Sequence, residues 1–190
     1  MKEKKLFLID AMALIYRSFY AMNKSPRVNS KGMNTSAAFG FFTTLLSILK
    51  QYNPSHLGIA LDLHSPTFRH EKYSDYKANR PSTPEEIRQM EPYIYSIIEA
   101  MNIPMLSCEG FEADDVIGTL AKKAVKHGFD VYMVTPDKDY AQLVEEHIKM
   151  LKLGRMGNQA EIWGVDEVLE RFEVQNPRQV IDILGLWGDS

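Results

Sequence analysis

A single cysteine, Cys108, stands in the whole 190-residue chain. A disulfide within the chain is therefore excluded, and a reducing, cytoplasmic setting is expected. His56, His64, His127 and His147 show no ligand spacing with Cys108, so no zinc site is assigned. Nowhere is there a run of about 18 or more apolar residues, and no membrane span is expected. Lys2, Lys4 and Lys5 precede an apolar stretch, but Asp10 and Arg17 interrupt it and no small-residue cleavage site follows. A signal peptide is not expected either. The chain also lacks repeats, low-complexity segments and a convincing internal boundary, so residues 1–190 read as one domain.

Charge of one sign is missing too: 22 Lys and Arg face 25 Asp and Glu, for a net −3. A weakly acidic balance by itself argues against a nucleic-acid partner. The distribution changes that reading. Eight carboxylates sit where an apolar run ends or a helix begins. Asp10 follows Leu6-Phe7-Leu8-Ile9, and Asp62 follows Leu57-Gly58-Ile59-Ala60-Leu61. Glu112, Asp114 and Asp115 open a helical pattern; Asp137 and Asp139 follow Val131-Tyr132-Met133-Val134; Asp189 follows Ile183-Leu184-Gly185-Leu186-Trp187. Setting those eight aside leaves 17 acids against 22 bases, a remainder of +5 that suits a polyanionic substrate.

Short Val/Ile/Leu/Phe/Met-rich runs at 5–9, 57–61, 103–106, 130–134 and 148–151, with 160–163 as a sixth candidate, predict strands buried on both faces. Helical periodicity fills 11–22, 35–51, 84–101, 112–127, 137–146, 165–172 and 177–185. The alternation predicts an α/β fold, a mostly parallel central sheet with helices on both faces. In such a sheet the carboxyl ends of the strands share one edge, which holds the site. Acids gathered there repel one another unless cations neutralise them, and oxygen-only ligands favour Mg²⁺ or Mn²⁺. Two such ions are a standard means of phosphoryl-ester hydrolysis.

Each signal has a plainer reading. Acids in a first helical turn complement the helix dipole, but capping needs one acceptor where Glu112, Asp114 and Asp115 offer three. At Asp137 and Asp139, Thr135 could be the N-cap with Pro136 at the first helical position, and both readings stand. Asp10 or Asp62 alone reads as a turn or cap residue; recurrence at separate strand ends carries the argument. Residues 23–34 read as a surface loop. Residues 63–83 are long for a connection and mix Arg69, His70, Lys72, Lys77 and Arg80 with Phe68, Tyr73 and Tyr76. That mixture can meet phosphates and unstacked bases, or be a solvated face. Tyr16, Phe19 and Tyr20 read as core.

Six motifs appear in a telling order: Leu8-Ile9-Asp10, Pro66-Thr67-Phe68-Arg69, Tyr76-Lys77-Ala78-Asn79-Arg80, Glu112-Ala113-Asp114-Asp115, Asp137-Lys138-Asp139 and Gly188-Asp189-Ser190. Over essentially all its length the chain resembles the N-terminal 5′ nuclease domain of bacterial DNA polymerase I, in the flap endonuclease family. The resemblance implies a PIN-like 5′ nuclease fold and a divalent-metal-dependent nuclease acting on DNA with 5′ flaps or nicks and on RNA primers. It implies that Asp10, Asp62, Glu112 and Asp114 form a first metal site, and Asp115, Asp137, Asp139 and Asp189 a second site or its outer shell. Lys77 and Arg80 would act on the scissile phosphate, with Arg69 and Tyr76 as further DNA contacts. Residues 81–95 take the place of an arch over the 5′ strand. A soluble cytoplasmic monomer acting in replication and repair is expected.

The chain departs from the family pattern at Pro136, where the TGDKD motif usually has Gly, and at Leu63-His64, which replaces Gly-Lys. It also stops at Ser190, before a further Asp and a duplex-gripping helix-turn-helix, so a fragment of a longer polypeptide is expected. Three rivals remain. A haloacid-dehalogenase-like phosphatase needs an acid two residues after Asp10, where Met12 stands. A PIN-type ribonuclease of the toxin kind is usually shorter and lacks the basic loop. A non-catalytic nucleic-acid-binding module would bind metal without cleaving.

Overall fold

The computed structural model describes residues 4–63, 65–154 and 160–187. In chain order the elements are β1 (Lys5–Asp10), α1 (Ala11–Ala21), α2 (Ser36–Tyr52), β2 (His56–Ala60), α3 (Phe68–Lys72), α4 (Glu85–Ala100), β3 (Met105–Leu106), α5 (Ala113–Val125), β4 (Asp130–Val134), β5 (Ile148–Lys152), β6 (Glu161–Trp163), α6 (Val165–Phe172) and α7 (Val180–Trp187). Two 3₁₀ segments, Lys138–Leu143 and Pro177–Gln179, complete them. Six strands form one sheet in the order β3-β2-β1-β4-β5-β6. The β1–β4, β4–β5 and β2–β3 pairs are parallel, and β6 runs antiparallel to β5. The expected α/β class with a mostly parallel sheet is the fold observed.

The chain folds as two compact units: Met1–Asp10, Pro54–Gly58 and Ile117–Ser190 make the first; Ala11–Asn53 and Ile59–Val116 make the second. In the first, β1, β4 and β5 run in register, Leu6 opposite Val131 and Val131 opposite Ile148. Phe7, Leu8, Ile9, Val131, Met133, Ile148, Met150 and Leu151 are buried, which is why these strands read as mostly apolar runs, interrupted in β5 by Lys149. Phe7 stacks on Tyr132 with ring centroids 4.6 Å apart. Gly118 of α5 lies under Leu143; a Cβ there would stand 3.1 Å from its Cδ1.

In the second unit, α1, α2 and α4 pack their apolar stripes together. Leu14, Ile15, Phe41, Leu45, Ile48, Ile87, Ile94 and Ile98 are buried, each contributing roughly 1.5–3 kcal/mol relative to exposure. Gly40 sets the α1–α2 approach: a Cβ would fall 2.6 Å from Ser18 Cβ. Glu85 and Glu86 in the first turn of α4 complement its dipole. A left-handed Asn102, φ +55°, follows its end.

Four readings from the sequence are corrected. The 137–146 pattern is a short 3₁₀ segment, not an α-helix. Asp137 Oδ1 takes the Asp139 amide at 3.0 Å and Thr135 Oγ1 takes the Asp137 amide at 3.2 Å, so side chains satisfy the leading donors. Asp137, not Thr135, is the cap. Residues 63–83 contain α3, so they are not one irregular loop. Residues 85–95, in the place of the arch, belong to α4, as the helical pattern over 84–101 predicts, and Ile87, Met90 and Ile94 anchor them in the core. Phe19 is core, but Tyr20 is 55% exposed, and Tyr16 spends its hydroxyl on Thr83 Oγ1 at 2.8 Å.

Candidate functional site

In the second unit the acids gather at the start of α5. The first amides of a helix have no partner within it. Asp62, just past β2, supplies one: its Oδ1 accepts the Ala113 amide at 2.8 Å. Asp115 Oδ2 accepts the Glu112 amide at 3.1 Å, and Asp114 Oδ1 accepts the Asp115 amide at 2.6 Å. The capping reading is thus correct as far as it goes. It leaves the charge of four carboxylates to be balanced.

Cations from the basic stretch balance part of it. Arg69 of α3 donates to Asp115 through both prongs of its guanidinium, Nη1 to Oδ2 at 2.6 Å and Nη2 to Oδ1 at 2.9 Å. It also lies 3.7 Å from Glu112 Oε2 and 3.9 Å from Asp114 Oδ1. Lys77 donates to Glu112 Oε1 at 2.9 Å, and the Tyr76 hydroxyl donates to Glu112 Oε2 at 3.1 Å. Glu112, only 7% exposed, is therefore held by two donors and flanked by a third. Lys77 occupies left-handed backbone, φ +58°, which is strained for a residue with a Cβ. Arg80 is exposed, its amide donating to the Lys77 carbonyl at 3.0 Å.

The electrostatics follow. Burial pushes the Asp114 carboxyl above the usual carboxylate range, and neighbouring Asp115 pushes it further. Burial also acts on Asp115, but the hydrogen bonds from Arg69 and the Glu112 amide outweigh it and hold that carboxyl low. Burial alone would lower the Lys77 ammonium; the bond to Glu112 reverses this and raises it. The Asp115 bond raises the Arg69 guanidinium despite partial burial. Among the described residues, no three His, Cys, Asp or Glu side chains stand as a ready-made ion cage. The donor chemistry nevertheless fits a hard divalent ion: oxygen-only ligands, one of them an Asp114 carboxylate disfavoured by its like-charged neighbour.

The first unit presents Asp10 at the end of β1, 9% exposed, its Oδ2 accepting from the Tyr140 hydroxyl at 3.1 Å and from Thr135 Oγ1 at 3.5 Å. Asp137 and Asp139 are exposed at the start of the 3₁₀ segment. Asp189 lies outside the described residues. The structure thus joins Glu112, Asp114 and Asp115 to Arg69, Tyr76 and Lys77, with Asp62 bound at Ala113 in the same unit.

Sequence reasoning missed Tyr140 and Thr135 as partners of Asp10. Tyr140 stands one residue after Asp139, and that adjacency was the available signal. Two other polar pairs were missed: Thr67, whose amide donates to His70 Nδ1 at 3.1 Å, and buried Glu91, which accepts from the Tyr95 hydroxyl at 2.6 Å. Burial raises Tyr95, and the Glu91 bond adds to it. Both pairs are local, three and four residues apart, and that spacing was the available signal.

The family described as the 5′-3′ exonuclease, N-terminal resolvase-like domain, matches residues 5–173. The chain belongs to this family. Its resolvase-like domain is 39% identical over 187 residues to DNA polymerase I of Chloroflexus aurantiacus, covering 97% of this chain and 20% of that protein. A 5′-3′ exonuclease of Aquifex aeolicus is 38% identical over 187 residues, covering 98% and 62% respectively. The chain spans about a fifth of the DNA polymerase I relatives. In fold it is similar to T5 5′-exonuclease with divalent zinc bound, TM-score 0.70 at 20% identity over 98% of this chain and 67% of that one. The catalytic core of Rad2 in complex with DNA substrate matches with TM-score 0.61 at 16% identity, covering 98% and 55%. No helix among the described residues is long and apolar enough to cross a membrane.

Proposed function

We propose that this resolvase-like domain is a metal-dependent, structure-specific 5′ nuclease, the N-terminal part of a DNA polymerase I. It hydrolyses phosphodiester bonds in DNA bearing 5′ flaps or nicks and in RNA primers paired with DNA, as a cytoplasmic monomer serving replication and repair. The observation that carries this reading is Glu112, buried beside Asp114 and Asp115 and gripped by Lys77 and Tyr76. An acid cluster paired with cations is the equipment needed to hold metal and phosphate together.

Asp62, Glu112 and Asp114 of one unit, and Asp10 of the other, are the described acids assigned to a first Mg²⁺ or Mn²⁺; Asp115, Asp137, Asp139 and Asp189 are assigned to a second site or its outer shell. Two such ions, when bound, supply water activation and charge stabilisation at the phosphoryl oxygens. The chain's own residues do the rest. Lys77, kept charged by its environment, turns its ammonium from Glu112 to a non-bridging phosphate oxygen. Arg80, exposed three residues on, adds a second cation to the developing charge. Tyr76 keeps Glu112 oriented with its hydroxyl and offers its ring to a base. Contacts of this kind read backbone and shape, so little sequence preference is expected.

A 5′-labelled flap substrate incubated with the protein and Mg²⁺ tests the reading. Cleavage near the flap junction, abolished by EDTA, is expected. Tight binding with no cleavage at any metal concentration would favour a non-catalytic binding module, and cleavage of single-stranded RNA alone a PIN-type ribonuclease.

A further inference from the structure

Arg69 belongs to the basic stretch, yet the structure spends it elsewhere. Both terminal nitrogens bind Asp115, in the two-pronged geometry that gives Arg–carboxylate pairs their directionality. The same Asp115 oxygen that meets Nη1 also accepts the Glu112 amide. One continuous path therefore runs from Arg69 through Asp115 to the backbone that carries Glu112.

The platform beneath Arg69 is built without it. The Phe68 amide donates to the Gly110 carbonyl at 3.0 Å, two residues before Glu112. Phe68 and Phe111 meet with ring centroids 5.5 Å apart, and the Arg69 guanidinium lies 4.7 Å above the Phe68 ring. The start of α3 is thus fastened to residues 110–111 by backbone and rings, and the guanidinium arrives already aimed at Asp115. Preorganised partners of this kind lose little freedom on forming their bonds.

We propose that Arg69 is a positioning residue for the nuclease reaction, acting through Asp115 to fix Glu112, rather than a contact for DNA phosphate. This rests on the nuclease reading above. It assigns Asp115 the task of clasping the cluster from outside, while Glu112 and Asp114 face the metal and Lys77 the substrate. Groups that orient metal ligands from one shell out typically cost about 10–100-fold in metal affinity or activity when removed.

The test compares the parent with Arg69→Ala, Arg69→Lys, Asp115→Asn and the Arg69→Ala/Asp115→Asn double variant. Single-turnover cleavage of the flap at saturating DNA should fall about 10–100-fold in each single variant, and the double should be no worse than the worse single. Arg69→Lys should recover little of the rate, because an ammonium cannot make two parallel bonds. Flap affinity measured in EDTA should change less than about twofold, since the cation lost contacts no phosphate. A weakened metal-free affinity with an unchanged saturated rate would make Arg69 a phosphate contact and overturn the proposal. So would losses that multiply in the double variant. One readout is independent of cleavage: hydrogen exchange at the Glu112 amide should speed up in Arg69→Ala and in Asp115→Asn, with no further gain in the double. If the parent cleaves nothing, the nuclease reading fails on its own, and unchanged Glu112 exchange in Arg69→Ala would separately sink the clasp.

Discussion

At Asp114 stability and function pull in opposite directions. Its carboxyl is raised above the ordinary aspartate range by burial and by Asp115. A folded pKa above the unfolded one means stability that is present at low pH and lost as pH rises through the folded value. At neutral pH the ionised Asp114 therefore costs the metal-free fold something. Asp114→Asn keeps the shape and the acceptor for the Asp115 amide while removing the charge. It should raise the melting temperature in EDTA and abolish cleavage; unchanged melting with full activity would reduce Asp114 to a simple cap. Asp115 has the reverse sign: its lowered carboxyl contributes stability above the unfolded value, lost as pH falls through the lower folded value. A pH titration of melting in EDTA should show that loss, and Asp115→Asn should lack it. Lys77→Ala should lower the single-turnover rate more than flap affinity, by the ~2.7–4 kcal/mol typical of a preorganised donor at developing charge. A loss confined to affinity would make Lys77 a backbone contact only. The acids themselves were legible, because carboxylates at strand ends recur along the chain. Their partners were not: Arg69 is 46 residues from Asp115, and Tyr140 is 130 from Asp10. Pairing at that distance leaves no local periodicity to read.

Elements were legible to the degree that burial enforces a pattern. β1 and β4 are mostly buried and read as apolar runs of the right length, and β5 does so apart from Lys149. β3 shrinks from the expected 103–106 to two residues. Pro104 contributes only its carbonyl to the pairing, accepting from the Ile59 amide. The 137–146 error has the same kind of cause, since Asp137 and Thr135 divert backbone donors that an α-helix would need. The α1–α2 contact depends on a feature that periodicity does not flag, the missing side chain at Gly40. Gly40→Ala would intrude on Ser18 and on the Met22 terminal methyl. Helical propensity favours Ala, but overpacking should win, for a net loss of about 1–3 kcal/mol by urea denaturation. A stabilised variant would show that α1 can slide away at no cost.

For the molecule as a whole, the acids make stability adjustable by metal. A divalent ion that binds only the folded state stabilises by about 2.7 kcal/mol at a hundredfold excess over its Kd. In a chain of 190 residues that is a rise in melting temperature of roughly 5–10 °C. Millimolar Mg²⁺ or Mn²⁺ should produce it, and Asp114→Asn should blunt it; no shift in the parent would count heavily against metal binding. Lys77 connects this global quantity to selection. Its left-handed backbone is one that Gly or Asn adopts at lower cost, yet the position holds the residue whose ammonium reaches Glu112. A library varied at position 77 and sorted only for heat resistance should enrich Gly and Asn, and its winners should be robust proteins that no longer cut.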